Sequence, residues 1–319
     1  MTAQFELFVS PDPQEVKPSG PARRQPVLRL SEAEMVDRLE ESGRYRILKK
    51  LEPRAVAPAA RPEFPLRGII LDTETTGLSH RTDQIIEIGV IAFSFDEAGA
   101  IGEVTGVYGG LQQPGIPIPA DITRITGITD EMVAGQTIDR DALHRLVEPA
   151  DLIIAHNAGF DRPFCERFSP IFEGKAWACS VQEVDWTTRG YEGTKLGYLI
   201  GQTGYFHEGH RAVDDCFALL EVLEQGKGET TPFAELYQAS QRAKVRIFAE
   251  NAPFEMKDHL KARGYRWSDG SDGKPKCWWI ELSEEALEDE RRYLGAEIYR
   301  WRDADPPVRR LTAFDRFRA

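Results

Sequence analysis

Acidic side chains recur in this sequence at spacings that can place several of them around one point. Asp72 and Glu74 follow residues 69–71, an apolar run without helical period that is typical of a buried strand. Residues two apart on a strand share a face, so both carboxylates point the same way. Such a pair repels unless a cation lies between the two groups. A bare Asp-x-Glu is more often a solvated strand end, so the rest of the chain must decide.

A second acidic point lies at a predicted strand-to-helix junction. Residues 152–155 form another buried apolar run, and the junction after it contains His156, Asn157 and Asp161. Proline is tolerated in the first turn of a helix, so Pro163 predicts a helix that runs from 161 to about 168. A third carboxylate therefore follows a second strand.

A third acidic point opens the last predicted helix of this region. Asp214 and Asp215 both flank its apolar stripe, so helical periodicity does not choose between them. His210 precedes Asp215 by five residues and is a candidate general base. An isolated histidine is more often a packed or surface side chain, but Gly209 and the nearby helix start place this one beside the acids.

The elements that must position these residues have the pattern of one α/β domain, which we place at residues 68–225. After a first strand that closes at Asp72, strand patterns cover residues 85–95 and 102–111, and adjacent strands of this kind indicate an antiparallel meander. Thr137 is positioned to cap a helix running to about Val147.

The remaining chain divides into four segments. Residues 1–30 are proline-rich and predict a disordered tail, and residues 31–67 predict a helix capped by Ser31 followed by a linker. Residues 226–240 predict a second linker. Residues 241–319 predict a small α+β accessory domain with a hairpin at residues 265–280.

Three tryptophans of the accessory domain allow two interpretations. Trp267, Trp278 and Trp279 lie among basic residues and could stack on unpaired bases, or they could form the core of a small domain. Strand alternation lets only one of the adjacent pair, Trp278 and Trp279, face inward, and we favour the core interpretation.

Composition and charge limit the class of protein. No apolar run approaches the ~18 residues of a membrane span, and four cysteines without CxxC spacing fit a reducing cytoplasm. The net charge of −12 is concentrated in residues 68–240, which hold 11 basic and 27 acidic residues. Such a block repels phosphates unless bound cations reverse the local field, so it favours a metal-dependent site.

In chain order, the motifs Asp72-x-Glu74, His156-Asn-x-x-Phe-Asp161 and His210-x4-Asp215 resemble those of the DEDDh group of 3′→5′ exonucleases. The likeness covers about residues 68–225. It implies a ribonuclease-H-like mixed sheet flanked by helices, and two Mg²⁺ or Mn²⁺ ions held by the four acids, with His210 as general base. The family spacing selects Asp215 over Asp214.

The same resemblance implies where substrate binds. Residues 125–131 resemble the family segment that lies against the terminal nucleotides of the substrate. Ile125 and Thr126 of this segment are therefore predicted substrate contacts. Thr73, Thr75 and Leu78 are predicted to contact the terminal nucleotide through backbone groups and a wedge-like side chain, with ordinary turn packing as the alternative. His156 and Asn157 are also assigned to the substrate site, and their alternative is to hold the strand-to-helix turn together.

These observations predict a metal-dependent exonuclease acting on single-stranded DNA 3′ ends in proofreading or repair, alone or with a DNA polymerase. The alternatives are an exoribonuclease of the same fold and an inactive nucleic-acid-binding scaffold of the replisome. The segment Gln4-Phe-Glu-Leu-Phe8 also resembles the peptides by which bacterial polymerases dock on the sliding clamp. Its alternative is that Phe5, Leu7 and Phe8 pack against the chain's own surface.

Overall fold

The computed structural model describes residues 30–225, 228–270, 275–301 and 303–318. These residues belong to two compact units, of which the first ends at Ile47 and the second begins at Leu48. The Gln4–Phe8 segment therefore lies outside the described residues. Within the first unit, helix α1 (Glu32–Glu41) begins at the predicted cap, where the Ser31 hydroxyl and the Glu34 side chain form a capping box. None of the described helices has the length and apolar content needed to cross a membrane.

The second unit contains all of the described strands. In chain order they are β1 (Lys49–Lys50), β2 (Leu66–Thr75), β3 (Ile85–Phe95), β4 (Ile101–Leu111), β5 (Leu152–Ala155), β6 (Trp177–Cys179), β7 (Tyr205–Phe206), β8 (Lys244–Ala249), β9 (Arg266–Trp267), β10 (Trp278–Ser283) and β11 (Val308–Leu311). The helices of this unit are α2 (Ala120–Thr126), α3 (Asp130–Val133), α4 (Arg140–Val147), α5 (Ala158–Phe168), α6 (Ser180–Glu183), α7 (Leu196–Gln202), α8 (Ala212–Gln225), α9 (Pro232–Gln241), α10 (Lys257–Ala262) and α11 (Leu287–Tyr293).

The central sheet has the order β4-β3-β2-β5-β6. Strands β2, β3 and β4 pair antiparallel, as the predicted meander requires, whereas β2, β5 and β6 pair parallel. Helices cover both faces, which explains why every residue of β3 is buried. This is the mixed sheet flanked by helices that the family resemblance implies.

The two faces of the sheet bury different layers of the core. Ile70 packs with α7, α8 and α9, whereas its neighbours Ile69 and Leu71 pack with α4 and α5 on the opposite face. Strand β2 does not close at Asp72, as predicted, but continues to Thr75, because β3 keeps pairing with it over that length.

Two predicted helix boundaries and one predicted linker are wrong. Helix α5 begins at Ala158, three residues earlier than predicted, after Asn157 adopts φ 118°, and it includes Pro163 in its interior. Asp139, and not Thr137, caps α4 by accepting hydrogen bonds from two backbone N–H groups. Part of the predicted linker 226–240 is helix α9, which buries Phe233 and Leu236 in the core.

The accessory sheet has the order β11-β8-β10-β9, with antiparallel pairing throughout. The predicted hairpin is β9 and β10, although residues 271–274 of its turn lie outside the described part. Trp278 packs with the core beneath α10 and α11, whereas Trp279 lies on the other face. Strand β11 has no counterpart among the predictions.

After β11, residues 312–318 return to the exonuclease-like domain as a C-terminal strap. Two fully buried arginines fix this strap. Arg162 of α5 donates to the carbonyls of Phe314 at 2.7 Å and Arg316 at 2.6 Å. Arg316 pairs with the buried carboxylate of Glu183. The backbone N–H of Trp177 donates to the Ala313 carbonyl at 2.8 Å, so the strap also covers the edge of β6.

Candidate active site

Three carboxylates meet at the end of the central sheet. Single ligand oxygens of Asp72, Glu74 and Asp215 all lie within 4.8 Å of one another. Asp72 and Glu74 project from β2, and Asp215 from the first turn of α8. The close approach of α8 depends on Gly89, which pairs with Asp72 across the sheet, because a Cβ there would lie 2.3 Å from the Ala212 carbonyl carbon.

Asp161 lies beside this group of three at the start of α5. Its Oδ1 accepts hydrogen bonds from the Thr73 backbone N–H at 3.1 Å and from the Thr73 hydroxyl at 2.8 Å. The side chain is almost fully buried. Both donors of Thr73 thus serve Asp161, and contact between Thr73 and a nucleotide stays a prediction.

Asp215 and Asp214 point in different directions. Asp215 belongs to the cluster, and its Oδ2 accepts the backbone N–H groups of His210 at 2.7 Å and Arg211 at 3.1 Å. Asp214 instead lines a surface cleft together with Glu87 and Arg211. The geometry therefore separates two residues that helical periodicity left equivalent.

His207 is a further residue of the site that the motifs did not reveal. Its imidazole is largely buried, and Nε2 lies 2.7 Å from Oδ1 of Asp215. With the two backbone donors on Oδ2, this contact fixes both oxygens of Asp215. The available signal was a second histidine three positions before His210, which by itself has no mechanistic meaning.

His210 lies at the rim of the cluster. It has φ 66°, in the left-handed region that residues other than glycine seldom adopt. Its side chain is 61% exposed, and its Nδ1 lies 3.9 Å from Oε1 of Glu74. The residue thus combines solvent access with proximity to the acids.

An ion pair between the partly exposed Arg211 and the buried carboxylate of Glu87 anchors the segment that carries His210. Glu87 of β3 accepts from the Arg211 guanidinium at 2.9 Å and from the Ala212 backbone N–H at 3.1 Å. This pair was also missed, although a signal existed: Glu87 is a lone charge in an otherwise apolar strand, and a buried charge needs a partner.

Burial, and for Asp72 and Glu74 also the charge of neighbouring acids, raises the pKa values of the cluster. Removal from water, followed by the negative charge of Asp161, raises the pKa of Asp72 well above its ordinary value. Removal from water and the charge of Asp215 raise the pKa of Glu74 to about 8. Burial likewise raises the pKa of Asp161 to about 7, against the opposing effect of the Thr73 hydrogen bonds.

This donor set fits divalent cations. Several carboxylate oxygens converge where little positive charge offsets them, and hard divalent ions prefer such oxygen ligands. A bound cation would favour the ionised acids and remove the repulsion that raises their pKa values. The residues present therefore fit a metal site.

The predicted substrate contacts divide into two groups. Leu78, Ile125 and Asn157 are exposed, with 85% exposure at Leu78. Thr75 and Thr126 are buried, and their hydroxyls donate within their own turns to the carbonyls of Gly77 and Ile122.

His156 has internal partners for both ring nitrogens. Its Nε2 lies 2.6 Å from the Thr194 carbonyl and its Nδ1 lies 2.7 Å from the Ser180 hydroxyl. A carbonyl only accepts, so Nε2 carries the proton and Nδ1 accepts from Ser180. Burial lowers the pKa of His156, in agreement with this neutral form.

Comparison with known proteins adds sequence evidence to this geometry. The exonuclease family RNase_T matches residues 69–223. The DNA polymerase III subunit epsilon of Treponema pallidum is 30% identical over 163 residues, which cover 48% of this chain and 72% of that subunit. The chain belongs to the DEDDh exonuclease family. Its exonuclease domain is also 32% identical to the PolC-type DNA polymerase III of Clostridium perfringens over 163 residues.

The match to the PolC-type polymerase is partial, because it covers 49% of this chain but only 11% of that protein. Among solved structures, exonuclease X in complex with 5′ overhanging duplex DNA aligns with 54% of this chain and 90% of its own, at 22% identity and a TM-score of 0.37. Escherichia coli exonuclease I in complex with a dA16 oligonucleotide aligns with 68% and 63%, at 13% identity and a TM-score of 0.45.

Proposed function

We propose that this protein is a metal-dependent 3′→5′ exonuclease that hydrolyses phosphodiesters at DNA 3′ ends, in proofreading or repair. The observation that carries the proposal is the convergence of Asp72, Glu74 and Asp215, with Asp161 beside them and His210 at the rim. Membership in the same family as a polymerase epsilon subunit supports DNA as the substrate.

Each residue has a definite part in the proposed reaction. Asp72, Glu74 and Asp215 would hold one Mg²⁺ or Mn²⁺ ion, and Asp72 and Asp161 a second. The ions would neutralise charge on the phosphate and stabilise the attacking and leaving oxygens of the displacement. His210 accepts the proton of the attacking water at a ring nitrogen, for which its exposed position gives access.

The direct test is digestion of matched DNA and RNA oligonucleotides labelled at the 5′ end, with Mg²⁺ or with Mn²⁺. We expect a ladder of shortened DNA products that retain the label, loss of activity in EDTA, and loss of activity in Asp72→Ala. A ladder from 5′-labelled RNA alone would favour the exoribonuclease. No cleavage of either polymer would favour the replisome scaffold, although all five predicted catalytic residues are present.

Docking on a sliding clamp is a separate proposal, which rests on the Gln4–Phe8 sequence. It would place the enzyme at replicating DNA in the cytoplasm, where the enzyme would act alone or with a polymerase. Leu7 and Phe8 would fill an apolar pocket while Gln4 makes a hydrogen bond at its edge. A labelled peptide of residues 1–15 titrated with sliding clamp tests this. Saturable binding that is lost in Leu7→Ala/Phe8→Ala supports docking, and no binding at high micromolar clamp contradicts it.

A further inference from the structure

The accessory sheet has one face that its own helices leave uncovered. Alternate residues of β8, namely Val245, Ile247 and Ala249, are buried on the side of α10 and α11. The residues between them, Lys244, Arg246 and Phe248, lie on the opposite side and are half-buried.

Neighbouring strands extend this second face with the same type of residue. In the antiparallel register, Trp279 lies opposite Phe248 on one side and Arg266 on the other. Arg309 of β11 lies opposite Arg246. We call this surface the basic face; its members are Lys244, Arg246, Phe248, Arg266, Trp279, Glu281 and Arg309.

The arginines of the basic face are held in place by an aromatic ring. The guanidinium carbons of Arg246 and Arg266 lie 4.5 Å and 5.5 Å from the centre of the Trp279 ring. Stacking on an aromatic ring restrains a guanidinium without neutralising its charge. Arg246 also donates to Glu281 at 3.0 Å. Arg266 and Arg309 make no ion pair within the described residues, although hydrogen bonds from Thr312, and then the charge of Arg309, lower the pKa of Asp315. The charge of Arg266 in particular remains available.

The basic face lies beside helix α6 of the exonuclease domain. A cleft of about 270 Å³ separates Lys244, Arg266 and Trp279 from Gln182 of α6. Helix α6 follows β6, which runs parallel to β5 and β2, so α6 lies at the same end of the sheet as the acids. The contact between Ser180 of α6 and His156, at 2.7 Å, confirms this placement.

From this arrangement we infer that the basic face binds the single-stranded polynucleotide that extends from the catalytic site. The inference deepens the proposed exonuclease function and rests on it. Residues 68–240, with 11 basic and 27 acidic residues, cannot attract a phosphate backbone by themselves. The basic face supplies positive charge beside them, and its arginines, held by Trp279, can contact the phosphates of a strand.

The test removes two exposed charges of the basic face in the variant Arg266→Ala/Arg309→Ala. The control variant, Lys261→Ala/Arg292→Ala, removes two exposed charges from α10 and α11, on the other side of the sheet. Binding of a fluorescent 20-nucleotide single strand is measured by anisotropy in EDTA over a series of salt concentrations. This readout needs no catalysis.

We expect the basic-face variant to bind the single strand roughly tenfold more weakly than the parent protein. The slope of log K against log salt concentration should become shallower by about 1.4, because each of the two lost phosphate contacts contributes about 0.7. The control should match the parent protein. Hydrolysis of the p-nitrophenyl ester of thymidine monophosphate should be unchanged in both variants, because this small substrate does not reach the basic face.

Equal affinity and equal salt dependence in the parent protein and both variants would overturn the inference. An acidic protein partner would then be the better candidate for binding the basic face. An equal loss in both variants would also overturn it, since the effect would then be general charge. If no protein cleaves the nucleotide ester or the oligonucleotide, the proposed function fails, while the binding comparison still decides the role of the basic face.

Discussion

Asp215 accepts hydrogen bonds on both of its carboxylate oxygens, whereas its neighbour Asp214 faces a surface cleft. We therefore expect Asp215→Asn to reduce exonuclease activity to near background, and Asp214→Asn to have a mild effect. Both changes remove one negative charge, so each is the matched control of the other. The measurement is the steady-state rate of each variant on a single-stranded oligonucleotide. If Asp214→Asn were the less active variant, the motif would have been assigned one residue out of register.

The two histidines next to Asp215 predict different phenotypes. His210→Ala should lower kcat by roughly 10²–10⁴-fold, the usual effect of losing a positioned base, and should alter the acidic limb of the pH–rate profile. His207→Leu should lower activity or metal affinity by about 10–100-fold, as expected for a group that orients a metal ligand.

His207→Gln supplies the control for that prediction. A glutamine amide can still donate to Oδ1 of Asp215, so we expect this variant to recover most of the activity and of the Mn²⁺ affinity measured by titration calorimetry. Equal defects in His207→Leu and His207→Gln would mean that the histidine acts by packing alone.

The raised pKa values of the acids predict how stability depends on pH. In the metal-free protein, Glu74 and Asp161 have pKa values of about 8 and 7, above their ordinary 4.5 and 3.8. The folded state therefore binds more protons than the unfolded state between about pH 4 and pH 8, so stability falls as pH rises through this range.

Thermal unfolding at several pH values measures this effect. We expect the Tm in EDTA to fall from pH 5 to pH 8, and Glu74→Gln to flatten the dependence because one titrating group is gone. Excess Mg²⁺ should also flatten it, because the cation offsets the repulsion. A Tm that rises steadily over this range in EDTA would contradict the assigned burial and crowding of the acids.

At the scale of elements, helix α5 links the catalytic cluster to the C-terminal strap. Asp161 and Arg162 are adjacent on this helix, and Arg162 donates to strap carbonyls at 2.6 Å and 2.7 Å. Arg162→Met leaves buried carbonyls unpaired, so we expect the free energy of unfolding to fall by about 3–5 kcal/mol. Displacement of α5 should also lower kcat.

Arg318→Met is the comparison for this change. Arg318 contacts the same Glu166 that pairs with Arg162, but it is considerably exposed, so its loss should matter little. Urea unfolding and steady-state kinetics measure both variants. Equal free energies of unfolding in Arg162→Met and Arg318→Met would show that the strap does not support α5.

The elements that could be predicted are those whose signals are local. The apolar runs of β2, β3 and β5 and the capping box at Ser31 follow from residues close together in the chain. Strand β11, the strap and the burial of α9 were missed because their partners are distant: Arg162 meets the strap more than 150 residues later. No local pattern specifies such contacts.

The same distinction applies to the candidate site. The acids could be predicted because their spacing resembles a family pattern. His207 and the Glu87–Arg211 pair could not, since each acts only through a contact that folding creates. Thr73 could be identified as a residue of the site, but its hydrogen bond to Asp161 could not be predicted, because the two residues meet only in the folded chain.

At the scale of the whole molecule, the accessory domain is not a detachable module. Removing residues 241–319 takes away the strap together with the basic face. Arg162 then loses its carbonyl acceptors, Glu183 loses Arg316, and the edge of β6 is bare. We expect this truncation to lower the Tm and cause aggregation, because an unpaired strand edge recruits other chains.

Circular dichroism melting and light scattering of the truncated protein measure this outcome. A truncated protein as stable and monodisperse as the full chain would show that the strap is dispensable. Point changes on the basic face are therefore the sharper means of testing DNA binding by the accessory domain, because they leave the strap intact.

The position of the strap also has a consequence for synthesis on the ribosome. Arg162 emerges long before residues 313–316, and at about 5–20 residues per second it waits roughly 8–30 s for its acceptors. During that interval the helix that carries Asp161 lacks its anchor. The catalytic site of a nascent chain therefore lacks this support until residue 316 has emerged, and chains that terminate before the strap never gain it.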